Sequence, residues 1–120
     1  MDTQIIGEQG ENIAIEHLKK HEYKVLEHNW RHKHLEIDII AQKGKELIIV
    51  EVKTRSGNYL QEPYLSVNKQ KQRLLIEGAN RYIEQKKLDT EVRFDIISVI
   101  LTPKGPRVEH IENAFYPTVR

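Results

Sequence analysis

The chain of 120 residues has no cysteine, one methionine, one tryptophan and two phenylalanines. Without a thiol it has no disulfide scaffold, zinc ribbon, thiolate nucleophile or iron–sulfur ligand set. Long apolar runs are missing as well. The longest, Leu47 to Val50, falls far short of the ~18 residues a membrane span needs, so no membrane partner is expected. Residues Met1 to Ile6 lack the basic start and apolar core of a signal peptide, and a cytoplasmic protein is expected. Neither charge sign dominates: nineteen Lys plus Arg meet eighteen Asp plus Glu, a net +1. No global field steers the chain to nucleic acid, so any such binding must come from local clustering. A glycine-rich phosphate loop and a GxSxG elbow are also absent, which leaves nucleotide-hydrolase and serine-hydrolase readings without a motif.

What is present is 31% charged and 38% hydrophobic, enough for one compact domain over residues 1–120. Ile6, Ile13, Ala14 and Leu18 recur at helical spacing and predict a helix over about 3–21, with Thr3 as N-cap. Glu11 falls within its apolar arc, where a carboxylate needs a partner. Strands are predicted over 23–30, 35–41 and 47–54, the last two joined into a hairpin by Lys43-Gly44-Lys45. Residues 55–63 read as a loop. A second helix follows over about 67–87, then a strand over 92–101, a turn at 103–106 and a short strand around 108–111. The order is α-β-β-β-α-β(-β), an α/β pattern with no internal repeat.

Closing the hairpin with Gln42 opposite Leu47 sets Ile40 opposite Ile49, Asp38 opposite Glu51 and Glu36 opposite Lys53, all on one face. That face turns abruptly from apolar to charged, while Ile48, Val50 and Val52 keep the other face apolar. A strand apolar on both faces is central and covered on both sides. Its charges at the buried end must be paired or bind something. Two carboxylates on adjacent strands with Cβ atoms ~5 Å apart repel unless one is protonated or a cation lies between them. Mg²⁺ (or Mn²⁺) suits the gap, since Mg²⁺ takes one or two carboxylates and keeps waters. Lys53 would orient or deprotonate the attacking water and offset charge on a pentavalent phosphate. Glu11 is a candidate outer ligand. The alternative is a cross-strand ion-pair cluster in which Lys53, Arg55 or a backbone amide satisfies Asp38 and Glu51.

Gly10-Glu11 with Ala14, Asn29-Trp30-Arg31, Glu36-Ile37-Asp38-Ile39-Ile40-Ala41, Val50-Glu51-Val52-Lys53-Thr54-Arg55, Lys71-Gln72-Arg73 and Arg93-Phe94-Asp95 follow one another through almost the whole chain. In these blocks the sequence resembles the YraN-type family of bacterial proteins. Their core, an Asp followed by Glu-x-Lys on the next strand, is the signature of the restriction-endonuclease-like superfamily, similar in fold to archaeal Holliday-junction resolvases. The resemblance implies a mixed β-sheet flanked by helices. It makes Asp38 and Glu51 metal-binding carboxylates, Lys53 the catalytic lysine, Glu11 the helix glutamate beside them and the Val52 carbonyl a further ligand. Leu35 departs from the glycine that often precedes the Glu-Ile-Asp block, which is expected to weaken the turn there.

The second helix is basic on its polar side: Lys69, Lys71, Arg73, Arg81, Lys86 and Lys87 outnumber Glu77 and Glu84. Together with Arg55, Lys43 and Lys45 these cations could hold phosphates; the alternative is a solvated helix face. Lys71 lies nearest the apolar stripe and is expected to point toward a cleft. Tyr59, in the loop, is a candidate for stacking on bases, whereas Trp30 is expected in the core. Among six histidines, His17 and His21 are four apart and His28, His32 and His34 cluster. The pair is not an HExxH motif and the cluster lies in a turn-like segment, so neither carries a zinc site. The expected function is metal-dependent hydrolysis of DNA phosphodiester bonds, on branched or single-stranded DNA. The alternative is a DNA-binding or DNA-processing adaptor with the same fold and little cleavage of its own. Symmetric cutting of a four-way junction would call for a homodimer.

Overall fold

The computed structural model describes residues 3–57 and 62–117. Helix α1 spans Thr3–Lys20, so Thr3 is already helical rather than the cap. Strands β1 (Lys24–His32), β2 (Leu35–Lys43) and β3 (Glu46–Ser56) follow as antiparallel neighbours. Helix α2 (Lys69–Lys86) then carries the chain over to β4 (Glu91–Thr102), which runs parallel to β3, and β5 (Gly105–Phe115) returns antiparallel to β4. The result is one mixed sheet in the order β1-β2-β3-β4-β5. This is the α/β arrangement the element order predicted for a restriction-endonuclease-like sheet. No helix among the described residues is long and apolar enough to cross a membrane.

Local chemistry accounts for the boundaries. Asn68 caps α2 by accepting the Lys71 N–H on its side chain, and Lys87 ends the helix in the left-handed conformation. Gly44 turns the β2–β3 hairpin with a φ of 59°. The β1–β2 turn takes its positive φ at Lys33, while Leu35 is a buried strand residue. Leu35 therefore does not weaken that turn. Strand β5 extends well beyond the predicted 108–111, because an edge strand needs no continuous apolar pattern when one neighbour supplies its ladder.

β3 is the middle strand, and a core lies on each side of it. Ala14 and Leu18 of α1 pack on Ile48, Val50 and Ile97, while Leu75, Ala79 and Tyr82 of α2 pack on Ile40, Leu47 and Ile49. Trp30 joins the α2 side, edge-on to Tyr82 at 5.8 Å, in the core role expected for it. α1 comes close to β3 at Gly10, where a Cβ would fall inside the Thr54 side chain. Gly10→Ala is expected to lower stability by about 1–3 kcal/mol through overpacking. Thr54→Ala in the same chain should restore part of that loss, which thermal melts of the single and double variants would check.

Asp95 pins the far side of the sheet. The β4–β5 ladder shifts register between Phe94 and Ile96, and Asn113 there has a φ of 57°. Asp95 Oδ1 accepts the Asn113 N–H at 3.0 Å, satisfying a donor that the bulge would leave unpaired. Arg93 grips the same carboxylate with two bonds of 2.9 and 2.8 Å and donates to the Tyr23 hydroxyl at 2.6 Å. His110 Nε2 donates to Asp95 Oδ2 at 2.8 Å and meets His17 through its other nitrogen. Burial alone would raise the Asp95 carboxyl, but the bonds from His110, Arg93 and the Asn113 amide hold it below the usual carboxylate range.

Candidate active site

The β2–β3 ladder runs from Lys43↔Glu46 to Ile39↔Val50, the register expected from the hairpin. Its pairing stops one step short of Asp38 and Glu51. At this point the alternation of β2 also slips, since Ile37 and Ile40 both face α2 while Ile39 faces α1. Asn29, opposite Asp38 on β1, takes a positive φ of 55°. The prediction that Asp38, Glu51, Glu36 and Lys53 share one face in a continuous ladder is thus corrected: the strands part at Asp38. Glu36 pairs with Arg31 at 2.7 Å instead of sitting opposite Lys53.

The parting opens a cleft of about 570 Å³, lined by Gly7 and Glu11 of α1, Asp38 of β2, and Glu51, Val52 and Arg55 of β3. Asp38 Oδ2 accepts the Val52 N–H at 2.8 Å, in place of the ladder bond that β2 no longer makes. A strand residue presents its N–H and C=O to the same edge, so the Val52 carbonyl opens onto the same side. Glu51 is only 8% exposed, and its Oε1 is buried with no hydrogen-bond partner. Burial pushes the Glu51 carboxyl up to about 7, with Asp38 beside it acting in the same direction against Lys71 and Lys53. Asp38 is raised too, chiefly by burial and next to it by Glu11, against the Val52 amide. A cation bound between the two carboxylates would lower both.

The neighbouring side chains divide sharply. Lys71 Nζ lies 3.9 Å from Glu51 Oε2. Lys53 acts on Glu51 electrostatically, but its ammonium rests over the Tyr64 ring, 4.8 Å from the centroid. Glu11 lines the cleft and accepts a 2.9 Å bond from His28. Arg55 also lines it, with Nε and Nη2 buried and unpartnered. Lys69 and Arg73 lie elsewhere, on a groove with Gln72, Ile76 and Tyr116. Tyr59 lies outside the described residues. Tyr64 escaped sequence reasoning. Its only signal was an aromatic following Pro63 in a stretch without periodicity.

Among the described residues no three His, Asp or Glu side chains are arranged to hold a metal ion. The donor set in the cleft is two carboxylates and a backbone carbonyl, all oxygen, with one carboxylate oxygen unused. Such a set suits a hard cation that retains waters, as Mg²⁺ does, and not zinc.

Fold and cleft together define an α/β protein whose central strand leaves its neighbour to expose a buried acidic pair followed by a lysine. The chain belongs to the family described as uncharacterised protein family UPF0102, the YraN family, whose model matches residues 10–99. It is 43% identical over 111 residues to a UPF0102 protein of Christiangramia forsetii, covering 92% of this chain and 93% of that one. A UPF0102 protein of Bacteroides fragilis is 46% identical over 113 residues, covering 94% and 93%. One from Geobacter metallireducens is 42% identical over 111 residues, covering 92% and 91%.

Proposed function

We propose that this chain is a Mg²⁺- or Mn²⁺-dependent endonuclease that hydrolyses DNA phosphodiester bonds. The observation that carries the reading is the buried, unpartnered oxygen of Glu51 beside Asp38 at the mouth of the parted strands. Asp38, Glu51 and the Val52 carbonyl would hold the cation, and Glu11 would reach it through water. The bound cation supplies Lewis-acid stabilisation of a charged phosphoryl oxygen and a water acidified for attack. Lys53 gives N–H donors to the phosphoryl oxygens as water's oxygen bonds to phosphorus and one bridging P–O bond breaks. Lys71 balances the negative pair while the cleft is without substrate. Arg55 binds a phosphate of the strand lying in the cleft. Lys69 and Arg73 would meet only a longer DNA that continues over α2. A homodimer would supply the second cutting site that a symmetric junction requires.

Lys71 also favours a second reading. An ammonium 3.9 Å from Glu51 neutralises part of the pair without metal, as it would in a DNA-binding adaptor that does not cut. A cleavage panel separates the two. Single-stranded, duplex, flap and four-way-junction DNA would be incubated with Mg²⁺, Mn²⁺ or EDTA, using the parent, Asp38→Ala and Glu51→Ala. Cutting that needs the metal and drops by at least ~10³-fold in both variants is the expected result. Binding in Ca²⁺ without any cutting would replace the nuclease by the adaptor.

A further inference from the structure

Tyr64 sits in residues 62–68, which form neither helix nor strand, yet it is held at both ends. Its backbone N–H donates to the Oγ of Ser98, a buried residue of β4, at 3.1 Å. Its ring rests against two cations of β3: Lys53 Nζ lies 4.8 Å and Arg55 Cζ 5.6 Å from the centroid. The two cations come from the same side of the strand, two residues and therefore roughly 6–7 Å apart along it. Even so, Tyr64 is 49% exposed, whereas Tyr82 and Phe94 are buried in the core. A half-exposed ring lies against two positive groups beside the acidic cleft. One of those groups, Arg55, keeps two buried N–H donors without partners.

We propose that Tyr64 is a base-stacking platform and that Lys53 and Arg55 take the phosphates on either side of the stacked nucleotide, so the strand enters the cleft with an unpaired base. Inside a duplex both faces of a base are covered by its neighbours, and only an unstacked nucleotide can lay a face on a side-chain ring. The separation of the two cations is of the order of that between successive phosphates of one strand. What happens to the bound strand rests on the nuclease reading, but the binding itself does not.

The test is fluorescence anisotropy of the full chain in Ca²⁺ with labelled single-stranded, blunt-duplex and tailed-duplex DNA. The parent should prefer the single strand and the tail. Tyr64→Ala should weaken both by roughly 5- to 100-fold and leave blunt-duplex binding unchanged, while Tyr64→Phe keeps parental affinity. An abasic position scanned along the single strand should reproduce the loss at one site in the parent and add nothing in Tyr64→Ala. The parent half of that scan needs no altered protein, so it stands even if a variant folds poorly. Equal losses on duplex and single strand, or no abasic effect anywhere, would overturn the platform. Metal-dependent cutting that Tyr64→Ala leaves intact on every substrate would overturn it too, with the nuclease reading standing. Tyr64-dependent binding without any cutting would sustain the platform and remove the nuclease.

Discussion

Glu51→Gln is expected to raise the melting temperature by roughly 5–10 °C at pH 8, corresponding to about 2–3 kcal/mol, while abolishing metal-dependent cleavage. The folded carboxyl titrates at about 7 and the unfolded one near 4.5. Its raised value means that the native state keeps a proton the unfolded chain has already released. The parent therefore has its full stability below about pH 4.5, loses part of it up to about 7, and stays lower above. Glutamine has no charge to desolvate and avoids that loss, so the two melting curves should converge toward pH 4.5. Lys71 loses its partner in the variant, but a side chain one-third exposed remains solvated at little cost. Saturating Mg²⁺ or Mn²⁺ should raise the parent's melting temperature and not the variant's, and more at pH 8 than at pH 6, because the cation must displace the Glu51 proton. A Glu51→Gln protein that melts well below the parent at pH 8 would make Glu51 a structural ion-pair partner instead.

Asp95→Ala should act in the opposite direction, lowering stability by about 3–5 kcal/mol at neutral pH. It removes two of the bonds to the partly buried Arg93 guanidinium, which keeps Tyr23, Glu46 and Glu112 as neighbours, leaves the Asn113 amide without its acceptor and removes the acceptor of His110. The Asp95 carboxyl is held below its ordinary 3.8. Its contribution is thus complete above about pH 4 and fades as the pH falls through its lower folded value. Denaturant titrations should show a flatter acid limb for the variant than for the parent. Equal stability of the two at pH 7 would mean that the bulge and Arg93 are satisfied without Asp95.

The sequence made the hairpin register legible because alternation along β2 and β3 leaves one pairing that buries Ile40 against Ile49. It also marked β3 as central, since Ile48 and Val50 are apolar on the face opposite Leu47 and Ile49. The parting of the strands was not legible. It depends on a left-handed residue at Asn29 and on an Asp38 side chain that replaces a backbone acceptor, and neither leaves a periodic trace. The role of Asp95 was hidden for a related reason: its partners His110 and Asn113 on β5 reach it only through the folded sheet, and Arg93 bonds it only two residues away on its own strand. Lys71 could be singled out from a helical wheel, whereas separating it from Lys69 and Arg73 required the position of α2 over the sheet. Tyr64 lies where no periodicity applies, and its meaning comes from two cations more than eight residues away.

The point at which β2 leaves β3 divides a single strand into two kinds of territory. Up to Val50, β3 has a hydrogen-bonded neighbour on each edge and apolar cover on both faces, and changes there would be felt as lost stability. From Glu51 to Arg55 one edge is released, and the residues it presents can be exchanged for others with little consequence for the ladder to β4. Along five residues of continuous backbone, the chain can therefore vary its chemistry while the framework that positions it stays constant.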